Sequence, residues 1–167
     1  MSEPAIRQAR PGDVPALLDI YNHYVVNTHI TFDVEPRSLA QRLVWFADFS
    51  AKGPYQCFVA EHEEKVIGWA SSSKFKEKAA YETSVETSVY LAPDKGGKGL
   101  GRRLYTVLFE GLQGADLHRA YGGIALPNEA SVRLHKATGF RHVGTYREVG
   151  RKFGRFWDVA WYERTLA

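Results

Sequence analysis

A single cysteine, a single methionine and no apolar run near the ~18 residues of a membrane span mark this 167-residue chain by what it lacks. With Cys57 alone, no disulfide can form within the chain. Its place between Gln56 and Phe58 in an apolar stretch reads as a small buried hydrophobe rather than a nucleophile. Repeats, low-complexity tracts and linker-like segments are missing too, so residues 1–167 are expected to form one domain. The opening MSEPAIRQARPGD has no apolar core of a secretory leader, and a cytoplasmic protein is the expectation. Acidic excess is also lacking: the formal charge is +3, which favours anionic ligands without choosing between a nucleotide and a nucleic acid. The basic residues gather around one short loop, however, and no long face interleaves them with aromatics as a nucleic-acid binder would.

What is abundant is glycine, in one place. The stretch from Ser84 to Leu112 reads SVETSVYLAPDKGGKGLGRRLYTVLFEGL. Alternating Val85, Thr87, Val89 and Leu91 predict a strand that leaves Glu86, Ser88 and Tyr90 on its other face. Pro93 ends it, Gly96, Gly97, Gly99 and Gly101 make a loop, and a helix follows with Leu100, Leu104, Val107, Leu108 and Leu112 as a core stripe. Glycines let the main chain approach a ligand, and the unpaired N–H groups of a first helical turn attract anions. Lys95, Lys98, Arg102 and Arg103 surround the same loop, which reads as a phosphate cradle. A P-loop is excluded because Arg102 and Arg103, not Lys and Ser or Thr, follow Gly101. A dinucleotide fingerprint is excluded because Arg102 stands where its third glycine belongs. On the loop alone, an ordinary glycine-rich turn stays open.

Along the chain, residues 6–9 are expected as a strand, with Asp13 capping a helix that carries Val14, Leu17, Leu18, Tyr21 and Val25. Residues 27–36 are irregular, and Phe32 stands in them as a pocket wall or a core residue. Ser38 opens a second helix with Leu39, Leu43 and Phe46 on one face, broken at Gly53 and Pro54. Residues 55–61 and 65–73 predict a hairpin whose register places Val66 with Gly68 and Ile67 with Trp69. After a basic link at 74–81 and the stretch above, residues 120–126 predict a strand. Asn128 caps a helix bearing Ser131, Leu134 and His135 that Gly139 ends, and two last strands span 141–148 and 156–163. The order is a mixed α/β arrangement with the glycine loop at the C-terminal end of a middle strand, where open sheets bind ligands.

The loop resembles the acetyl-coenzyme A loop of the GNAT N-acetyltransferases, written Q/R-x-x-G-x-G/A, with Gly99 and Gly101 in the glycine positions and Gly96 in place of Gln or Arg. Four blocks narrow the likeness: IYNHYVVNTHITFDVEP at 20–36, AYETSVETSVYL at 80–91, IALPNEASVRLHKATGF at 124–140 and GRFWDVAWYER at 154–164 are similar to phosphinothricin and methionine sulfoximine N-acetyltransferases. The resemblance covers essentially the whole chain. It implies the single-domain GNAT α/β fold, acetyl-coenzyme A as cosubstrate, no metal, a small amino-acid-like acceptor and a homodimer. The C-terminal strands, with Trp157 and Trp161 on one face, could supply part of the contact or be buried within one protomer.

Acetyl transfer from a thioester to an amine needs a base, a polarised carbonyl and a proton for the thiolate. The family's proposed base falls on Glu86, and a carboxylate on a central strand is costly to bury without a partner or a task. His135 falls where many relatives hold a Tyr thought to protonate the thiolate; it is a proton donor or a satisfied core residue. The resemblance places the cosubstrate on Val89, Tyr90, Leu91, Gly97, Lys98, Gly99, Leu100, Gly101, Arg102 and Asn128. A strand edge at 89–91 suits an amide-bearing pantetheine arm. Phe32, Lys76, Lys78, Tyr81 and Thr87 are expected around the acceptor. Lys78 stands where the family has Arg and Ser84 where it has Thr, so the charge is kept while the bidentate fork is lost. A non-catalytic coenzyme A sensor remains the alternative from another class.

Overall fold

Strands and helices form in the expected order. The computed structural model describes residues 2–166: β1 (Ala5–Gln8), α1 (Val14–Asn27), α2 (Leu39–Phe46), β2 (Cys57–His62), β3 (Lys65–Lys74), β4 (Ser84–Leu91), α3 (Leu100–Gly111), β5 (Arg119–Ala125), α4 (Glu129–Ala137), β6 (Arg141–Lys152) and β7 (Arg155–Thr165). Among these residues no helix is long and apolar enough to cross a membrane. The strands make one sheet in the order β1-β2-β3-β4-β5-β7-β6, and β4 with β5 is its one parallel pair.

That pair decides where a ligand can go. It is joined only at Ser84, Val85 and Glu86, opposite Arg119, Ala120 and Tyr121. Past Glu86, β4 runs on against β3 to Leu91 while β5 follows β7 to Ala125. The two strands fork, and main-chain groups of β4 that face the fork have no ladder partner.

Each face of the sheet buries one cluster. Phe58, Ala70, Val85, Leu104, Leu108, Ile124 and Phe140 pack on the α3 side, and Leu17, Ile20, Cys57, Val59 and Trp69 on the α1 side. Full burial of a large apolar side chain contributes about 1.5–3 kcal/mol, so either cluster outweighs any one surface ion pair. Cys57 is buried as expected, and burial pushes its thiol up to about 12.

Three local expectations are corrected. Asp13 does not cap α1: its carboxylate receives Arg7 at 2.8 and 2.9 Å and the Arg10 N–H at 2.7 Å, closing a 3-10 turn at Pro11–Asp13. Ser38 does cap α2, in a reciprocal pairing with Gln41, but the buried face is not the apolar one. Leu39 and Leu43 are 46% and 44% exposed, whereas Arg42 is 5% exposed with its guanidinium 3.4 Å from the Trp45 ring. Aromatic faces there stand in for a carboxylate, and burial lowers the Arg42 pKa to about 10. In the hairpin, Ala60 pairs Gly68 and Glu61 pairs Val66, leaving Ile67 as an extra residue. This bulge separates Ile67 from Trp69, which join opposite clusters, and sends Val66 to Trp69's side.

Candidate active site

The β4–β5 fork opens into a cavity of about 500 Å³ that runs from the glycine loop to Tyr24 and Ile30. Its walls bring together Thr87, Val89, Tyr90, Leu91, Gly97, Gly99, Leu100, Gly101, Arg102, Asn128 and His135. The loop's shape comes from Gly97 and Gly99, at φ +79° and +75°, a region costly for other L-residues. Gly99 is the N-cap of α3, and its carbonyl takes the Arg103 N–H, so the first-turn N–H groups of Leu100, Gly101 and Arg102 stay free for a ligand. Of the four basic residues around the loop only Arg102 lines the cavity. Lys95 pairs with Asp94 at 3.1 Å, Lys98 is exposed, and Arg103 turns to the Pro4 carbonyl at 2.8 Å. Asn128 caps α4 through Ser131 N at 3.2 Å and lines the cavity as well.

Glu86 lies at the crotch of the fork, on the strand face opposite Thr87 and one residue before the cavity lining begins. It is half-buried, no cation pairs with it among the described residues, and burial alone raises its pKa. Such a carboxylate is primed to take up a proton.

His135 is 4% exposed and both ring nitrogens are engaged. Nδ1 lies 2.7 Å from the Ser131 carbonyl, an acceptor only, so Nδ1 carries the proton; Nε2 then accepts from the Tyr105 hydroxyl at 3.1 Å. Burial lowers the histidine's pKa, which keeps the ring neutral. Gly122 makes room for it, since a Cβ there would stand 2.7 Å from Nε2. Both residues line the cavity, and the proton they share lies on the Tyr105 hydroxyl. Sequence reading missed Tyr105; the signal was a phenol inside the apolar stripe of α3, one position after Leu104. Tyr24 was missed likewise, and its hydroxyl donates to the Leu91 carbonyl at 2.5 Å.

The acceptor residues are more scattered. Phe32 is 37% exposed and packs over Gly150, where any Cβ would sit 2.2 Å from its ring. Lys76 places its ammonium 5.2 and 5.1 Å from the Phe75 and Tyr81 rings. Phe75 stacks on Tyr121, the partner of Glu86 in β5, at 4.4 Å. Lys78 is exposed at the start of a 3-10 turn. Of the five expected acceptor residues only Thr87 lines the cavity. Trp157 and Trp161 are used within the protomer: Trp157 stacks on His29 at 4.1 Å, and Trp161 packs beside Phe75 and Gly123.

This constellation fits coenzyme A on structural grounds: a strand edge with unpaired amides, a left-handed glycine loop and free helix N–H groups in one groove. Comparison with known proteins agrees. The model of the GNAT acetyltransferase domain matches residues 6–161, and the chain belongs to that family. It is 58% identical over 164 residues to a phosphinothricin N-acetyltransferase of Streptomyces coelicolor, covering 95% of this chain and 96% of that one. It is 37% identical over 163 residues to an L-methionine sulfoximine/L-methionine sulfone acetyltransferase of Pseudomonas paraeruginosa, covering 97% and 94%. A phosphinothricin acetyltransferase of Sinorhizobium meliloti, solved with acetyl-coenzyme A, superposes with a TM-score of 0.93 at 31% identity, covering 99% and 90%. The protein is an acetyl-coenzyme A-dependent N-acetyltransferase.

Proposed function

We propose that this enzyme acetylates the amino group of a small amino-acid-like acid, phosphinothricin or methionine sulfoximine among them, with Glu86 as general base. The observation that carries the reading is a half-buried, unpaired carboxylate at the fork of β4 and β5, next to a groove fit for coenzyme A. The names of relatives at 58% and 37% identity supply the acceptor class.

Bound acetyl-coenzyme A supplies an activated acetyl thioester. The chain does the rest. Main-chain groups of residues 89–91 that face the fork hold the pantetheine arm, and an N–H among them polarises the thioester carbonyl. Glu86 removes the ammonium proton, directly or through water, so that the amine can attack. The Tyr105 hydroxyl, seated by neutral His135, turns its proton from Nε2 to the leaving thiolate, and the phenolate regains one through the cavity once the products have left. Lys76, seated over the Phe75 ring that stacks on the β5 partner of Glu86, offers the acid end of the acceptor a point charge without the fork of an arginine, whereas Lys78 lies exposed outside the cavity. Action in the cytoplasm accords with a lone, reduced Cys57.

We also infer a homodimer through the β6–β7 hairpin. Val143, Tyr146, Val149, Phe153 and Phe156 are 54–61% exposed at that end of the sheet. The acceptor assignment is tested by thiol release from acetyl-coenzyme A with a panel of free amino acids, phosphinothricin, methionine sulfoximine, polyamines and peptides. Turnover should be confined to the amino-acid-like acids; turnover on polyamines or peptides alone defeats the assignment while sparing the reaction.

A further inference from the structure

Glu86 lies beneath an aromatic wall. Its neighbours across the sheet are Ser73 on β3 and Tyr121 on β5, and Phe75, just after β3, stacks on the Tyr121 ring at 4.4 Å and 13°. Strands two apart in a sheet are about 9.5 Å from each other, so the link after β3 brings Phe75 across the start of β4. Cross-strand partners share a face, and the crossing is therefore on the face that carries Glu86. Trp161 continues the wall: its ring lies 6.2 Å from that of Phe75 and covers Gly123, which lines the cavity. The cation on this wall is Lys76. Its ammonium lies 5.2 and 5.1 Å from the Phe75 and Tyr81 ring centres, and among the described residues no carboxylate pairs with it, whereas Lys74 pairs with Glu77 at 3.5 Å. Exposed rings hold a cation only weakly and a lysine stem is flexible, so the amine leaves this seat readily.

We propose that Lys76 is a self-acetylation site, whose amine swings in from the wall and takes the acetyl group when acetyl-coenzyme A is bound and no acid acceptor is present. The inference rests on the reading of Glu86 as general base and uses the same machinery. Glu86 takes one proton from the ammonium, and Nζ attacks the thioester carbon. The carbon–sulfur bond then breaks, and the thiolate leaves with the proton of the Tyr105 hydroxyl. The products are an uncharged amide on Lys76 and coenzyme A. An amide offers no point charge to the acid end of an acceptor and no cation to the Phe75 and Tyr81 rings. Acetyl-coenzyme A in excess over its acceptor thus becomes a brake on the enzyme.

Incubation of the full chain with acetyl-coenzyme A alone, followed by peptide mass mapping over time, tests this. Lys76 should gain an acetyl group at least about tenfold faster than any other lysine, and Glu86→Gln should slow that gain about 100-fold or more. Methionine sulfoximine or phosphinothricin added at the start should delay it. Lys76→Arg, which keeps the charge but removes the amine, should abolish it. Once acetylated, the enzyme should show a KM for these acids raised about tenfold, the effect of losing one hydrogen bond to a charged group, and Lys76→Gln should match it. Acetyl groups spread evenly over the lysines, at equal rates in the wild type and Glu86→Gln, would be uncatalysed acylation and overturn the inference. So would a Glu86-dependent acetyl on Lys74 or Lys78 in place of Lys76, or an unchanged KM after modification. Free acceptors acetylated while Lys76 stays unmodified overturns self-acetylation and leaves the Glu86 reading standing. Glu86→Gln acetylating free acceptors at the wild-type rate overturns both.

Discussion

The donor half of the site and the acceptor half are built on different plans. The donor half is main chain: a strand edge, a loop with two left-handed glycines and a helix N-terminus, all within residues 88–102. The acceptor half, as proposed above, would draw on side chains brought from afar. The link between α1 and α2 crosses to the β6–β7 hairpin, where buried Lys152 donates to the Thr31 carbonyl at 2.9 Å across 121 positions of sequence. Phe32 on Gly150, His29 on Trp157, and the 2.8 Å contact of His29 Nε2 with the Pro127 carbonyl close the same seam. A site made of backbone tolerates changes of side chain, whereas one made of distant side chains changes its ligand with few substitutions. The reaction can therefore be shared across a broad family while the acceptor differs among its members.

The comparison breaks first at Glu86, where the halves meet. Glu86→Gln should lower kcat by about 100- to 10,000-fold, the range of general base catalysis, and leave calorimetric affinity for coenzyme A unchanged. A sensor without catalytic function would show no such split. Burial also sets the acid limb of kcat above the ordinary glutamate value of about 4.3. With the folded pKa raised, the carboxylate stays protonated, and the enzyme idle, to a higher pH; rate should rise through that limb, and the Gln variant should lack it.

Next comes Tyr105→Phe, which keeps the ring packed against Phe109 and Phe140 and removes only the hydroxyl. We expect kcat to fall about 10- to 100-fold in single-turnover assays with an unchanged KM for acetyl-coenzyme A. A donor that belonged to His135 alone would leave the variant near the wild-type rate. Smaller again is Gly99→Ala. A Cβ there meets no atom within 4 Å, so the cost is purely the left-handed φ, about 1–2 kcal/mol, appearing as roughly a tenfold weaker affinity for coenzyme A. At saturating acetyl-coenzyme A its kcat should stay near wild type, because the acceptor half is untouched.

The same division governs what the sequence discloses. Glycine spacing, strand alternation and the apolar stripe of α3 are local patterns, and the glycine loop with every strand and helix could be read from them. Departures arose where a neighbour distant in sequence outbid local preference. Arg7 claimed Asp13 before the helix could, an aromatic box made Arg42 a better core residue than Leu39 or Leu43, and one bulged residue at Ile67 reversed a strand's facing. Tyr105 and Tyr24 went unread because a hydroxyl within an apolar stripe is only a volume until its partners, His135 and the Leu91 carbonyl, are known. The acceptor lysines are legible as charges, but their distance from the fork is a property of the folded link.

The smallest effect concerns stability and rests on His135. Burial depresses its folded pKa below the unfolded value of about 6.5, so near and below that pH the unfolded chain takes up a proton that the folded ring refuses. The unfolded state then binds more protons, and stability falls as pH falls, by at most about 1.4 kcal/mol per pH unit for one such group. His135→Gln, whose amide can still reach toward Ser131 or Tyr105 but does not titrate, should flatten this part of the urea midpoint against pH between about 7 and 5. The full slope persisting in the variant would mean that the histidine is charged in the folded enzyme. Nε2 would then be a donor rather than an acceptor, and the direction of the Tyr105 hydrogen bond, with its part in discharging the thiolate, would have to be reversed.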